Sequence, residues 1–177
     1  MSVLFNRLVP LAMRVVAVCV LPALAGCAAL EKPAFEEQVK AEWKEFEWTL
    51  PPYPVDADLI PFRPSAEATA AFFVDGRSLR VDPDEVVRYT LVIRSAGGAE
   101  NVSFEGMRCE TAERKLFAIG RSKGDWVPSR NDAWQRISDN ALNRHHALLF
   151  KEFFCLPGSI LPSREDILRN LRAASRY

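Results

Sequence analysis

Histidine occurs twice in the 177 residues, cysteine four times and glycine eight times, and 23 basic residues are balanced by 23 acidic ones. Each scarcity removes a class of function. Without an excess of positive charge nothing concentrates phosphates, so nucleic acid is not an expected partner. The two histidines are neighbours, His145-His146, and H-E-x-x-H is absent. Adjacent residues on a helix diverge by about 100°, so this pair cannot converge on one metal, and Glu152 adds at most one ligand beside His145. No metal and no cofactor is expected. A nucleophile elbow and a phosphate-cradling glycine loop are both missing. The acidic loop Asp82-Pro83-Asp84-Glu85 lacks the spaced ligands of an EF-hand and reads as solvated. Paired acids of the glycosidase kind are defined in space, not in sequence, so a hydrolase stays open as a third reading.

A long apolar run is lacking too. The densest, Val15 to Leu24, spans ten residues, against the roughly 20 that a membrane-crossing helix needs. Arg7 and Arg14 precede it and Ala25-Gly26 follow, which is the layout of a secretory signal. Leu24-Ala25-Gly26-Cys27 resembles the lipobox of bacterial lipoproteins. That resemblance implies removal of residues 1–26 and diacylglyceryl transfer to the Cys27 thiol. It also implies, since residue 28 is Ala and not Asp, retention at the periplasmic face of the outer membrane. Each buried methylene contributes about 0.8 kcal/mol to anchoring. Met13 offers an alternative start that preserves a compact signal.

Once Cys19 leaves with the signal and Cys27 carries lipid, Cys109 and Cys155 remain. In an oxidising compartment two such thiols most simply form one disulfide, worth about 4 kcal/mol in the chain-entropy model. The alternative, a catalytic or metal-binding thiol, has no C-x-x-C spacing behind it.

The expected organisation is a tether at 27–34, reaching about 28 Å at full extension, and one globular domain over 35–177. Phe35, Val39, Trp43 and Phe46 recur at helical spacing and predict an amphipathic helix ending before Pro51. Leu50-Pro51-Pro52-Tyr53-Pro54 predicts an extended segment laid over the domain, prolonged as irregular chain by Pro61 and Pro64. Phe72–Val74 and Leu79–Val81 predict a hairpin about Asp75-Gly76. Val86–Arg94 alternates, with Val87, Tyr89, Leu91 and Ile93 on one face and Arg88, Thr90 and Arg94 on the other. Ala96–Ala99 turns the chain, and strands follow at Val102–Cys109 and Lys115–Gly120. Ala141–Phe154 predicts a helix with a broad apolar face, stopped by Pro157-Gly158. Ser163-Arg164-Glu165-Asp166 is a capping box for a last helix buried through Ile167, Leu168 and Leu171. The fold class is therefore α+β: an antiparallel meander packed against N-terminal and C-terminal amphipathic helices, with one disulfide.

Candidate contacts for a ligand are Trp126 and Trp134, which flank the polar loop Pro128–Asp132 and equally suit a core lid. The histidines are candidates too, although a packed pair hydrogen-bonded near the sheet is the ordinary outcome. Arg164, Arg169, Arg172 and Arg176 make the last helix basic, suited to anionic lipid or glycan or to complementing the helix dipole.

Five stretches resemble the cryptic neisserial protein-like (CNP1-like) family of exported bacterial proteins. They are Phe72–Leu79, Val87–Val92, Asn101–Cys109, Asn143–His146 and Glu152–Cys155, and the likeness spans residues 43–175. It implies pairing of Cys109 with Cys155 and carries no catalytic residue onto this chain. The expected function is a non-enzymatic envelope lipoprotein, a protein-interaction or assembly module joined to the membrane by lipid on Cys27. A glycan- or lipid-binding module is the alternative.

Overall fold

Val86–Arg94, the stretch with the clearest alternation, forms the middle of an antiparallel sheet. The computed structural model describes residues 42–156 and 161–176, and seven strands pair among them. They are β1 (Leu59–Phe62), β2 (Ala71–Val81), β3 (Val86–Arg94), β4 (Glu100–Arg108), β5 (Glu113–Gly120), β6 (Trp126–Pro128) and β7 (Gln135–Arg136). β1 to β6 lie side by side in chain order, and β7 pairs with β5. The β3–β4 turn fixes the central register: Tyr89 stands opposite Glu105 and Val92 opposite Val102. Gly98 holds that turn at φ 83°, a left-handed conformation that favours glycine. The described residues all fall within one compact unit, Ala41–Tyr177. The expected signal, Cys27, the tether and Pro157-Gly158 lie outside the described residues.

One face of the sheet is roofed by helix. Helix α1 (Arg144–Leu148) runs into a π-helical stretch, Leu149–Phe154, in which the Cys155 N–H reaches the Phe150 carbonyl at 2.9 Å. Helix α2 spans Arg164–Ala174. Ser163 Oγ accepts the Asp166 N–H at its N-terminus, and Ile167, Leu168 and Leu171 are buried. Val74, Leu79, Val87, Tyr89, Leu91 and Met107 from the sheet meet Leu149, Phe153 and Phe154 and the α2 stripe in one core. The Cys109–Cys155 disulfide joins the end of β4 to the end of the π-helical stretch across a separation of 46 residues.

The opposite face is closed without helix. Residues 42–54 run over it as an irregular strap, placing Trp48 on Phe104 and Phe117. Here the expected N-terminal helix fails over Glu42–Leu50, and its first part (35–41) lies outside the described residues. The physical reason is that the backbone carbonyls of this stretch are taken by side chains of the sheet, as described below, while Pro51, Pro52 and Pro54 favour extended chain.

Three further expectations change. Asp75-Gly76 is no hairpin turn: β2 runs straight through it, and Gly76, Arg77, Ser78 and Leu79 bulge out opposite Tyr89 alone. The Asp75 carboxylate accepts the Arg77 and Ser78 N–H groups, 3.1 Å each. The local turn chemistry is thus genuine but serves a bulge. Pro61 lies in strand β1 at the sheet edge, where a missing donor is tolerated. The helix expected from Ala141 starts only at Arg144, because the Asn140 side chain accepts the Leu142 and Asn143 N–H groups and holds a turn there.

Candidate functional site

The two expected histidines have different fates. His146, from α1, is 4% exposed, and its Nε2 lies 2.7 Å from Glu105 Oε2. The same carboxylate accepts Tyr89 Oη–H at 3.0 Å and Ser103 Oγ–H at 2.7 Å. Burial by itself would raise the Glu105 pKa. The His146 charge and the hydrogen bonds from His146 and Ser103 override it and hold the group at about 2. Tyr89 is pushed well above its ordinary value by burial and by the Glu105 charge. A carboxylate held ionised near neutral pH and already bonded to three side chains is a poor proton acceptor. Its chemistry is orientation: it bonds α1 to the centre of the sheet. His145 stacks between Phe72 at 5.2 Å and His146 at 4.0 Å. Burial, with His146 beside it, lowers its pKa to about 4.

Neither Glu105 nor Tyr89 was a candidate from sequence. Their partnership follows from the β3–β4 register, and counting outward from the Ser95–Ala99 turn would have exposed it. The link to His146 crosses 41 positions and has no local signal.

The strap face holds the second constellation. Arg88 is fully buried, and its guanidinium contacts Asp82 Oδ2 at 2.7 Å and both Asp84 oxygens at 2.9 and 2.7 Å. The Asp82–Glu85 loop is therefore not simply solvated: two of its acids are the counterions of a buried cation. Arg88 also lies over the Phe117 ring, 5.4 Å from its centroid. The strap is held here by side chains of the sheet. Arg88 donates to the Phe46 carbonyl at 3.5 Å, and Arg80 to the Thr49 carbonyl at 3.2 Å. Trp126 Nε1 donates to the Pro51 carbonyl at 2.9 Å. In return the Phe46 N–H donates to Asp84 Oδ2 at 2.8 Å and Trp43 Nε1 to the Asp84 carbonyl at 2.9 Å. Lys115 pairs with Glu45 at 2.8 Å.

Both candidate tryptophans stand in this face. Trp126 and Trp134 are half-buried against Phe104, Phe117 and Ala118 together with Trp48. Tyr53 packs on Trp126, centroids 5.4 Å apart, and donates to the Arg121 carbonyl at 3.0 Å. A Cβ on Gly120 would stand 2.8 Å from the Tyr53 ring, so only glycine leaves that seat open.

The arginines of α2 divide. Arg164 spans the β2 bulge, donating to the carbonyls of Leu79 at 2.7 Å and Gly76 at 2.9 Å. Arg169 pairs with Asp166. Arg164 and Arg172 line a shallow groove of about 450 Å³ against β1, joined there by Arg77. Among the described residues no group of three or more His, Cys, Asp or Glu side chains could hold a metal ion. No helix among them is long and apolar enough to cross a membrane.

The sequence model of the CNP1-like family matches residues 38–172. The chain is 28% identical over 160 residues to cryptic neisserial protein 1 of Neisseria gonorrhoeae, covering 80% of this chain and 78% of that protein. No solved structure matches.

Proposed function

Because this chain belongs to the CNP1-like family, a family whose likeness brings no reaction with it, we propose a role built on surface contact. In this reading it is an envelope lipoprotein held by lipid on Cys27 at the periplasmic face of the outer membrane, and its domain is a non-enzymatic protein-interaction or assembly module. The observation that carries the module reading is the burial of the Glu105–Tyr89–His146 cluster, in which Tyr89, Ser103 and His146 are all bonded to one carboxylate. The groups best suited to chemistry are spent in fixing α1 to the sheet, which leaves the surface as the working part. The lipid anchor rests on the sequence from Leu24 to Cys27.

Two measurements test it. Palmitate labelling in cells should mark the wild type and not Cys27→Ala; equal labelling removes the anchor. Crosslinking in intact envelopes, followed by detergent extraction, should recover the same protein repeatedly with the wild-type chain. Recovery of none across repeated preparations counts against the module.

A second reading is supported by the groove of Arg77, Arg164 and Arg172: an anionic headgroup or glycan phosphate bound at α2. Charge reversal at Arg77 and Arg172 should abolish sedimentation with vesicles containing anionic lipid, and unchanged sedimentation removes this reading.

A further inference from the structure

The strap is bound to the sheet as a ligand would be. It adds no strand, and its main chain is read by side chains: Arg88, Arg80 and Trp126 donate to the carbonyls of Phe46, Thr49 and Pro51. An indole N–H donating to a carbonyl in a run of prolines, with an aromatic ring packed alongside, is how grooves recognise preformed polyproline-like peptides. Tyr53 against Trp126 and the close approach at Gly120 supply that packing. Of residues 42–54 only Pro51 is buried, and Phe46 is 47% exposed.

We infer that the sheet face made by Phe104, Phe117, Trp126 and Trp134 is a peptide-binding groove occupied in cis by residues 43–54, and that its partner class is an extended, proline-containing segment with flanking aromatic residues presented by another protein. This deepens the interaction-module reading and rests on it for biological meaning. Release of the strap is physically permitted. Arg88 keeps its close counterions Asp82 and Asp84, which belong to the sheet side, and the charge partner that leaves with the strap is Glu45, which bonds Lys115 and lies 3.9 Å from Arg88. What opens is a floor of aromatic rings, which a second peptide of like chemistry covers equally well.

The direct probe is a fluorescein-labelled synthetic peptide of residues 43–54, titrated against the full chain and read by anisotropy. The tethered strap competes at high effective concentration, so binding to the wild type is weak. Tyr53→Ala or Trp48→Ala in the chain loosens the strap and should tighten peptide binding by about tenfold or more. Trp126→Phe, which removes the indole donor and keeps the ring stack, should weaken it in the same background by about fivefold or more. Circular dichroism and the intact disulfide report folding, and Tyr53→Phe provides a milder loosening should either alanine variant unfold. No binding to any loosened, folded variant overturns the inference, as does equal binding of a scrambled peptide. The two readings fail separately. A crosslinked envelope partner indifferent to Trp126→Phe keeps the module and discards the groove. Specific peptide binding without any envelope partner does the reverse.

Discussion

The two faces of the sheet are covered in opposite ways. The helical face carries regular structure and a buried hydrogen-bonded pair, Glu105 with His146, and is locked by the Cys109–Cys155 bond. The strap face carries an irregular segment with no covalent lock, bound through individual hydrogen bonds to its carbonyls and through aromatic contacts. Both faces nonetheless bury a charged side chain completely or nearly so. The difference lies in which side owns the counterion. On the helical face the Glu105 carboxylate is bonded across layers by His146 of α1, so opening that face separates buried partners. On the strap face the close counterions of Arg88, Asp82 and Asp84, belong to the sheet and its β2–β3 turn, while the half-buried Glu45 of the strap reaches Lys115 and, at 3.9 Å, Arg88. Opening free energies follow this ownership, and the strap should be the first part to detach under native conditions.

The strongest way to break the contrast is to remove the lock. Replacing both Cys109 and Cys155 by serine should cost about 4 kcal/mol in urea unfolding. Binding of the strap peptide to the loosened chain should persist, since the link does not touch that face. Next in size is Glu105→Gln, which replaces the ionised acceptor shared by Tyr89, Ser103 and His146 with a neutral amide. A loss of about 3 kcal/mol is expected by equilibrium denaturation at pH 7. A loss near zero would mean the pair does not hold α1 down.

Acid should sharpen the same comparison. His145 is lowered from 6.5 to about 4 in the fold. Between those values the unfolded chain binds a proton that the native chain refuses, so stability falls as pH drops from 6.5 toward 4. Glu105, lowered from 4.5 to about 2, adds a second loss as pH falls below 4.5. On the strap face Asp84 is also lowered from 3.8: burial opposes this, and the hydrogen bonds from Arg88 and the Phe46 N–H prevail. Its contribution is lost only below about that value. The helical face should therefore weaken first. Urea midpoints measured from pH 7 to 3 should show the upper slope in the wild type and not in His145→Gln.

Smaller effects complete the series. Trp48→Ala removes a half-buried ring from Phe104 and Phe117 and should cost about 2 kcal/mol. Hydrogen exchange at the Phe46 amide should accelerate far more than in β3. Ser163→Ala removes the α2 cap and should cost about 1 kcal/mol, read as a lower Tm with the strap unaffected.

How much of this was readable beforehand depends on how local the cause was. β3, the turn at Gly98 and the α2 cap arise from neighbours in sequence, and each stands where alternation, glycine or the Ser163–Asp166 box puts it. The cysteine pair was reached by setting Cys19 and Cys27 aside with the expected signal and lipid, and by the family resemblance, and the Cys109–Cys155 bond stands in the fold. Trp43 and Phe46 misled because helical spacing and a strap's footholds can coincide. The competing influence, carbonyls claimed by Arg88, Arg80 and Trp126, comes from chain 31 to 75 positions away. Asp75-Gly76 misled in the other direction, since the same side-chain acceptor that closes a turn also stabilises a bulge. Arg88 was placed on the correct face, but nothing nearby announced that the face would be roofed.

Arg164 carries a consequence for descent. Its guanidinium fork is seated on two carbonyls that exist as free acceptors only because β2 bulges between Asp75 and Arg80. A descendant that straightened the strand by deletion would withdraw both acceptors from the half-exposed Arg164 guanidinium. One that lost the arginine would leave both carbonyls without that donor. The two places, 85 and 88 positions apart along the chain, are thus one heritable unit, and lineages should keep or abandon them together.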